Sequence, residues 1–146
     1  MNQIMLRLMC ACSLGMTIPG ALFAAPVAVL KVAIQPLTKP GKKVPLAAGH
    51  YFTFGFEKQP KLGKAIMRVD IFTLDGQRDR SFVLKGDTDM PSMRGAHSTG
   101  DKKFVLSAKG VYLLPVQLVM PGDWEFKITI EKDGVTVFRG AYLFDI

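Results

Sequence analysis

Residues 123–131 alternate without a break between apolar and polar side chains. Trp124, Phe126, Ile128 and Ile130 share one parity, and charged or polar residues occupy the other. Because successive side chains of a β-strand point to opposite faces of a sheet, this pattern predicts a strand with one buried face. A helix needs a period near 3.6, and no long segment after the first 24 residues shows it. The pattern therefore predicts an all-β domain.

Weaker alternation predicts the other strands, at 29–35, 50–58, 65–74, 77–84, 104–108, 111–120 and 135–144. Asp75-Gly76 and Asp133-Gly134 have the composition of type I′ turns, which predicts two hairpins. The polar stretch 85–102 is interpreted as a loop. Seven to eight short strands separated by turns predict an immunoglobulin-like (Greek-key) β-sandwich.

The first 24 residues form a separate segment. Arg7 precedes an apolar run at 8–23, and the small residues Ala24 and Ala25 follow it. The run is shorter than the roughly 20 apolar residues of a spanning helix, so it predicts a signal peptide, cleaved after Ala24. We therefore expect a periplasmic or secreted domain at 25–146 with no stable membrane span after cleavage.

The composition of the domain argues against catalysis. Cys10 and Cys12 both lie in the predicted signal peptide, which leaves no thiol for a disulfide, a redox centre or a thiolate metal site. The two histidines, His50 and His97, have no partner serine and aspartate in a recognisable arrangement. His50 shares the parity of the phenylalanines that follow it, which indicates a structural histidine. No catalytic residue is assigned, and the domain is predicted not to be an enzyme.

The net charge of +7 comes mostly from lysines beside predicted turns. No basic helix or stripe interleaved with aromatic residues is present, so no nucleic-acid partner is expected. These lysines are interpreted as solvated loop residues.

One loop has distinctive chemistry. Met90, Met93 and His97 lie within eight residues of each other in a segment that also contains proline and glycine. Thioether sulfur selects Cu(I), and imidazole binds both copper oxidation states, so these three residues are the candidate metal ligands and copper is the candidate cofactor. The alternative is that Met90 and Met93 fill the open end of the core. The nearby Asp87 and Asp89 are interpreted as solvated acids.

The residues after this loop are interpreted as scaffold. Tyr112 near the start of a strand is expected to bond its hydroxyl across a corner of the sandwich. Gly122 is expected in a tight turn, and Trp124 in the core.

The order Met90-Pro91-x-Met93, Gly110-x-Tyr112 and Met120-Pro121-Gly122-x-Trp124 resembles the YtkA-like and FixH-like group of periplasmic immunoglobulin-like domains. The resemblance implies the same fold, and it implies copper handling through Met90, Met93 and His97. This chain differs from the group's histidine-richer loops in having Ser92, Arg94 and Ser98 there. A copper site in this loop would require the cationic Arg94 to point away.

The sequence leaves two functions open besides copper handling. The domain is either a copper-handling protein or an interaction or structural module without metal that binds an envelope protein through its strand edges or loops. A sugar-binding sandwich is the third reading. It requires an exposed aromatic platform, for which Tyr51, Phe138 and Tyr142 are candidates, although each is also explained as a core residue.

Overall fold

Two five-stranded β-sheets face each other in the computed structural model, which describes residues 32–146. The strands are β1 (Ile34–Leu37), β2 (Val44–Leu46), β3 (His50–Phe56), β4 (Gly63–Thr73), β5 (Val83–Asp89), β6 (Lys102–Lys103), β7 (Val105–Leu106), β8 (Tyr112–Leu118), β9 (Asp123–Lys132) and β10 (Val135–Asp145). Sheet A has the order β1-β10-β9-β5-β6, and sheet B has the order β2-β3-β4-β8-β7. All pairs are antiparallel except β1 with β10.

Within residues 32–146 the only helix is a single 3₁₀ turn, Pro91–Met93. None of the helical structure in this part of the chain is long and apolar enough to cross a membrane. The prediction of an all-β sandwich is confirmed. The predicted signal peptide, its cleavage site after Ala24 and the start of the domain at residue 25 lie outside the described residues.

Aromatic side chains with period two join the two sheets. Each of three alternate residues of β3 meets an aromatic ring of β10 edge to face, with centroids about 5 Å apart, in the pairs Phe52–Phe138, Phe54–Tyr142 and Phe56–Phe144. Such geometry is the favoured one for aromatic pairs. The alternation seen in the sequence therefore becomes a set of ring contacts across the sandwich.

The predicted hairpin after β4 is wrong in its extent. Residues 77–84 were expected to pair with 65–74 throughout, but pairing ends at the Phe72–Arg78 bridge and the bond from Asp79 N–H to the Ile71 carbonyl. The chain then crosses to sheet A, where β5 pairs with β9. The Asp79 carboxylate accepts the Ser81 N–H, which turns the backbone away from β4.

The two turns that contain Asp-Gly differ. Asp133 and Gly134 both have positive φ, as a type I′ turn requires, so this prediction is confirmed. In the first turn only Gly76 has positive φ, and its N–H bonds to the Thr73 carbonyl. Asp75-Gly76 is therefore not a type I′ turn.

The predicted loop 85–102 is also wrong in part, because residues up to Asp89 belong to β5. Gly86 of this strand lies where the sheets approach closely. A Cβ there would stand 2.7 Å from Leu114 Cδ2 and 2.9 Å from Phe126 Cε2. Glycine is needed here for space, not for flexibility.

The scaffold predictions for Tyr112, Gly122 and Trp124 are confirmed. The Tyr112 hydroxyl lies 3.2 Å from both the N–H and the carbonyl of Phe82, and so ties β8 to the crossover before β5. Gly122 has a φ of 132° in the turn before β9. Trp124 is fully buried, and its indole N–H donates to the Met120 carbonyl at 3.1 Å.

The sandwich has two ends. At the first, called the closed end, lie the start of β3, the crossover 79–82 and the hairpin of β9 and β10. At the second, called the loop end, β5 finishes at Asp89 opposite Glu125 of β9, and β4 begins at Gly63 opposite Leu118 of β8.

Candidate functional site

The segment from Met90 to Asp101 leaves sheet A at the loop end and returns along the edge of β5 to β6. The Thr99 N–H donates to the Thr88 carbonyl at 3.1 Å, and the Thr88 N–H donates to the Thr99 hydroxyl at 3.1 Å. This segment, called the methionine loop, follows β5 at its N-terminal end and is hydrogen-bonded to β5 near its C-terminal end.

A buried carboxylate fixes the first half of the methionine loop. Asp89 accepts the N–H groups of Met90 and Gly95, each at 2.9 Å. The Gly95 N–H, with those of Met90 and His97 and the charge of Lys127, holds the pKa of Asp89 below its usual range although burial opposes the shift. The interpretation of Asp89 as a solvated acid is wrong, because its carboxylate satisfies loop N–H groups.

Two further carboxylates hold the rest of the loop. Asp87 accepts the Thr99 N–H at 2.9 Å and the Ser98 hydroxyl at 3.1 Å. Asp123, at the start of β9, accepts the Ser92 N–H at 3.0 Å and the Ser92 hydroxyl. These anchors were not predicted from the sequence. Thr99 lies 12 positions after Asp87 and Ser92 lies 31 positions before Asp123, so no local turn pattern indicated either contact.

The structure separates the two candidate methionines. Met90 follows β5 with the parity of its inward residues and is only 3% exposed, within the core cluster. A Cβ on Gly122 would stand 3.2 Å from the Met90 methyl carbon, so the thioether packs against this turn. Met90 therefore fills the core, as the alternative interpretation predicted for it.

Met93 and His97 lie nearer the solvent. Met93 is 38% exposed at the end of the 3₁₀ turn. The ring of His97 is half-buried, with its centroid 6.2 Å from that of Trp124. No hydrogen bond joins a ring nitrogen of His97 to another residue of the 32–146 segment, in contrast to His50.

Arg94 points to an acid of the sheet. Its guanidinium donates to Glu125 Oε2 at 2.8 Å, and Lys127 lies 3.4 Å from the same oxygen. Burial raises the pKa of Glu125, but the bond from Arg94 and the charge of Lys127 outweigh it and hold the pKa low. The cation that was expected to oppose a metal is thus paired with a carboxylate.

Side chains of the harder ligand types do not cluster elsewhere. In the part of the chain that the structure describes, no group of three or more histidine, cysteine, aspartate or glutamate residues is placed to hold a metal ion. The acids nearest the methionine loop are occupied by backbone and side-chain donors. The soft ligands of this loop therefore stay the candidates for metal binding.

His50 is a structural residue, as predicted. Its Nδ1 lies 2.8 Å from the Ala48 carbonyl oxygen, and its Nε2 lies 2.9 Å from Asp79 Oδ2. Lys132 Nζ lies 3.2 Å from the same carboxylate oxygen and 2.6 Å from the Ser81 hydroxyl. This cluster joins β3 of sheet B to β9 of sheet A at the closed end.

The three aromatic candidates for a sugar platform are accounted for by packing. Phe138 is buried, and Tyr142 packs on Phe54 across the core. Tyr51 lies on the outer face of sheet B, where Phe72 stacks on it with centroids 5.2 Å apart and the Lys43 amine lies 4.5 Å from its ring centroid. Each of the three rings is thus in contact with neighbouring side chains.

No family model matches the chain, and no curated protein matches it. Among solved structures, the chain is similar to that of FetP from uropathogenic Escherichia coli strain F11, with a TM-score of 0.52 and 11% sequence identity. The likeness covers 73% of this chain and 93% of FetP. At this identity it shows a shared β-fold.

Proposed function

We propose that the domain is a non-enzymatic, exported copper-handling protein whose accessible ligands are Met93 and His97. The observation on which the proposal rests is the fixed methionine loop, which holds one thioether and one unbonded imidazole near the solvent. A thioether and an imidazole are suited to Cu(I), and neither needs a thiol. Met90 is buried against the Gly122 turn and is therefore not one of the accessible ligands.

The hydrogen bonds of the methionine loop favour a role for Met93 and His97 in binding an ion. Asp87, Asp89 and Asp123 hold the backbone at both sides of the ligand pair, so little ordering is required when an ion binds. The pairing of Arg94 with Glu125 removes an uncompensated cation from the neighbourhood. These features support binding of an ion by the methionine loop.

Two observations support export. The apolar run at 8–23 with Ala24 and Ala25 has the order of a signal peptide. FetP, whose fold the chain shares, was produced in the periplasm of E. coli. We infer that the domain acts in the periplasm or outside the cell, where a copper ion would be passed to or taken from another envelope protein.

Anaerobic competition with a chromophoric Cu(I) chelator, followed by metal analysis, tests the proposal. We expect one Cu(I) per domain, and we expect Met93→Leu and His97→Ala each to lower the affinity at least tenfold. Met120→Leu, a change of a partly buried methionine outside the loop, is the matched control and should leave the affinity unchanged. A stoichiometry near zero in the unaltered domain would reject the copper proposal.

A second candidate is an interaction module without metal. The edge strand β7 presents the exposed side chains of Val105 and Leu106, and unpaired sheet edges add strands from partner proteins. Under this alternative, Val105→Lys abolishes capture of an envelope partner, while Met93→Leu and His97→Ala have no effect on it. The two functions are separated by whether Val105→Lys removes capture of the protein partner or Met93→Leu and His97→Ala remove binding of Cu(I).

A further inference from the structure

The loop end has an exposed apolar tip formed by two strands of sheet B. Gly63 pairs with Leu118, so the preceding residue of one strand, Leu62, and the following residue of the other, Val119, flank the same position. Leu62 is 57% exposed and Val119 is 55% exposed. Two large apolar side chains are thus presented together where the sheet ends.

Three lysines surround this tip. Lys58, Lys61 and Lys64 are all exposed, and none forms an ion pair with an acid of residues 32–146. The one acid of the same segment is Glu57. The segment 57–64, which joins β3 to the start of β4, therefore has three positive charges against one negative charge.

A recess lies between these lysines. It has a volume of about 340 Å³ and is lined by Glu57, Lys58, Gln59, Lys61, Lys64, Ala65 and Ile66. The lining combines two apolar residues, Ala65 and Ile66, with three lysines and the single acid Glu57. A phosphate-containing headgroup with a short polar substituent has the size and charge that such a recess accommodates.

We propose that this tip binds the surface of an anionic phospholipid bilayer. Leu62 and Val119 enter the boundary between headgroups and acyl chains, and the three lysines contact lipid phosphates. Peripheral membrane binding combines buried apolar area with attraction to anionic lipids, and both components are present at this tip. An acidic protein surface would match the lysines but would leave the two apolar side chains without a reason to be exposed.

The cations on the faces of the two sheets differ from the lysines at this tip. On the outer face of sheet A, Lys85, Arg94 and Lys127 are each paired with a glutamate. On sheet B, Arg68 and Arg78 both contact Asp70. The segment 57–64 differs from both in having cations without acidic partners beside an apolar tip.

Co-sedimentation of the domain 25–146 with vesicles tests the proposal. We expect binding to vesicles of equal parts phosphatidylglycerol and phosphatidylcholine, and none to phosphatidylcholine alone. Lys58→Glu, Lys61→Glu and Lys64→Glu combined should lower the partition coefficient by at least about 100-fold, because each lost basic residue costs about fivefold and each new glutamate is repelled by the anionic surface. Leu62→Ser with Val119→Ser should lower it about tenfold through lost apolar burial.

The chain offers matched controls for both variants. Lys102→Glu, Lys103→Glu and Lys109→Glu make the same change in net charge away from the tip. Leu74→Ser removes a side chain that is 77% exposed at the opposite end of β4. Each control should bind within twofold of the unaltered domain, and thermal melting should show that every variant is folded.

Three results would overturn the proposal. The first is the absence of binding to the anionic vesicles. The second is an equal loss in the two lysine variants, which would indicate attraction by net charge alone. The third is binding of a polyglutamate peptide through Lys58, Lys61 and Lys64 without vesicle binding, which would assign the tip to an acidic protein.

Discussion

The two histidines of this domain lie at opposite ends of the sandwich and have different surroundings. At the closed end both ring nitrogens of His50 face acceptors, the Ala48 carbonyl and the Asp79 carboxylate. At the loop end the ring of His97 lies beside Trp124 with no such bond within the described chain. The difference indicates that one imidazole joins the two sheets, whereas the other is available to a ligand.

The same contrast holds for the acids. Asp79 at the closed end accepts bonds from side chains of both sheets, including His50 and Lys132. Asp87, Asp89 and Asp123 at the loop end accept mainly from the methionine loop. Polar groups thus stabilise the sandwich directly at one end, and at the other end they fix a loop.

The largest effect is expected within the methionine loop. Met90→Ala should lower the free energy of unfolding by about 3 kcal/mol, because it leaves a cavity beneath the loop. Met93→Ala should change it by less than about 0.5 kcal/mol, since this side chain is largely at the surface. Urea denaturation measures both. Equal losses would show that Met93 is also a core residue and is not available to an ion.

The next effect concerns the link between the sheets at the closed end. Asp79→Asn should lower the free energy of unfolding by about 2 kcal/mol at pH 7, because His50 and Lys132 lose a charged partner in a half-buried site. Urea denaturation at pH 7 measures the loss, with Asp75→Asn in the exposed turn as the control. A change below about 0.5 kcal/mol would contradict the role given to Asp79.

The histidines themselves provide a direct comparison. His50→Ala should lower the free energy of unfolding by about 1–2 kcal/mol through the loss of two hydrogen bonds and an edge-to-face contact with Phe82. His97→Ala should stay within about 0.5 kcal/mol. Thermal melting of the two variants measures the difference, and the reverse order would refute the assignment of roles to the two ends.

A smaller effect is expected from pH. Burial favours the protonated form of Asp79, but the bonds from Ser81, Lys132 and His50 outweigh it and hold the pKa of this carboxyl well below its usual range. A lowered folded-state pKa adds stability above the unfolded value near 4 and loses it as the pH falls toward the folded value. The unaltered domain and Asp79→Asn should therefore differ less in free energy of unfolding at pH 2 than at pH 6, by about 1 kcal/mol. Urea denaturation at both pH values measures it, and a constant difference would be the contrary result.

Much of the fold was predictable because its strands have one buried face. The alternation in β3 and β9 fixes which side chains point inward, and Trp124, Phe52 and Phe126 are all fully buried. The course of residues 77–89 was not predictable in this way. Asp-Gly after β4 suggested a full hairpin, and the polar residues from 85 onward suggested a loop, whereas contacts distant in sequence send the chain to sheet A.

The residue types of the candidate site were predictable from the sequence, but which of them are buried was not. Met90 and Met93 look equivalent in the sequence, yet Met90 keeps the inward parity of β5 while Met93 ends a 3₁₀ turn at the surface. The anchoring roles of Asp87, Asp89 and Asp123 depend on strands that meet only in the folded domain. The pairing of Arg94 with Glu125, 31 positions away, was likewise beyond local sequence patterns.

The most direct test of the account follows the methionine methyl groups during a Cu(I) titration. NMR of the domain with ¹³C-labelled methionine methyls and histidine rings, recorded without oxygen, reports on Met67, Met90, Met93, Met120 and His97. We predict that the Met93 methyl and the His97 ring signals shift and saturate at one equivalent of Cu(I), while the methyls of Met67 and Met120 stay in place. Unchanged Met93 and His97 signals beyond several equivalents would contradict the account.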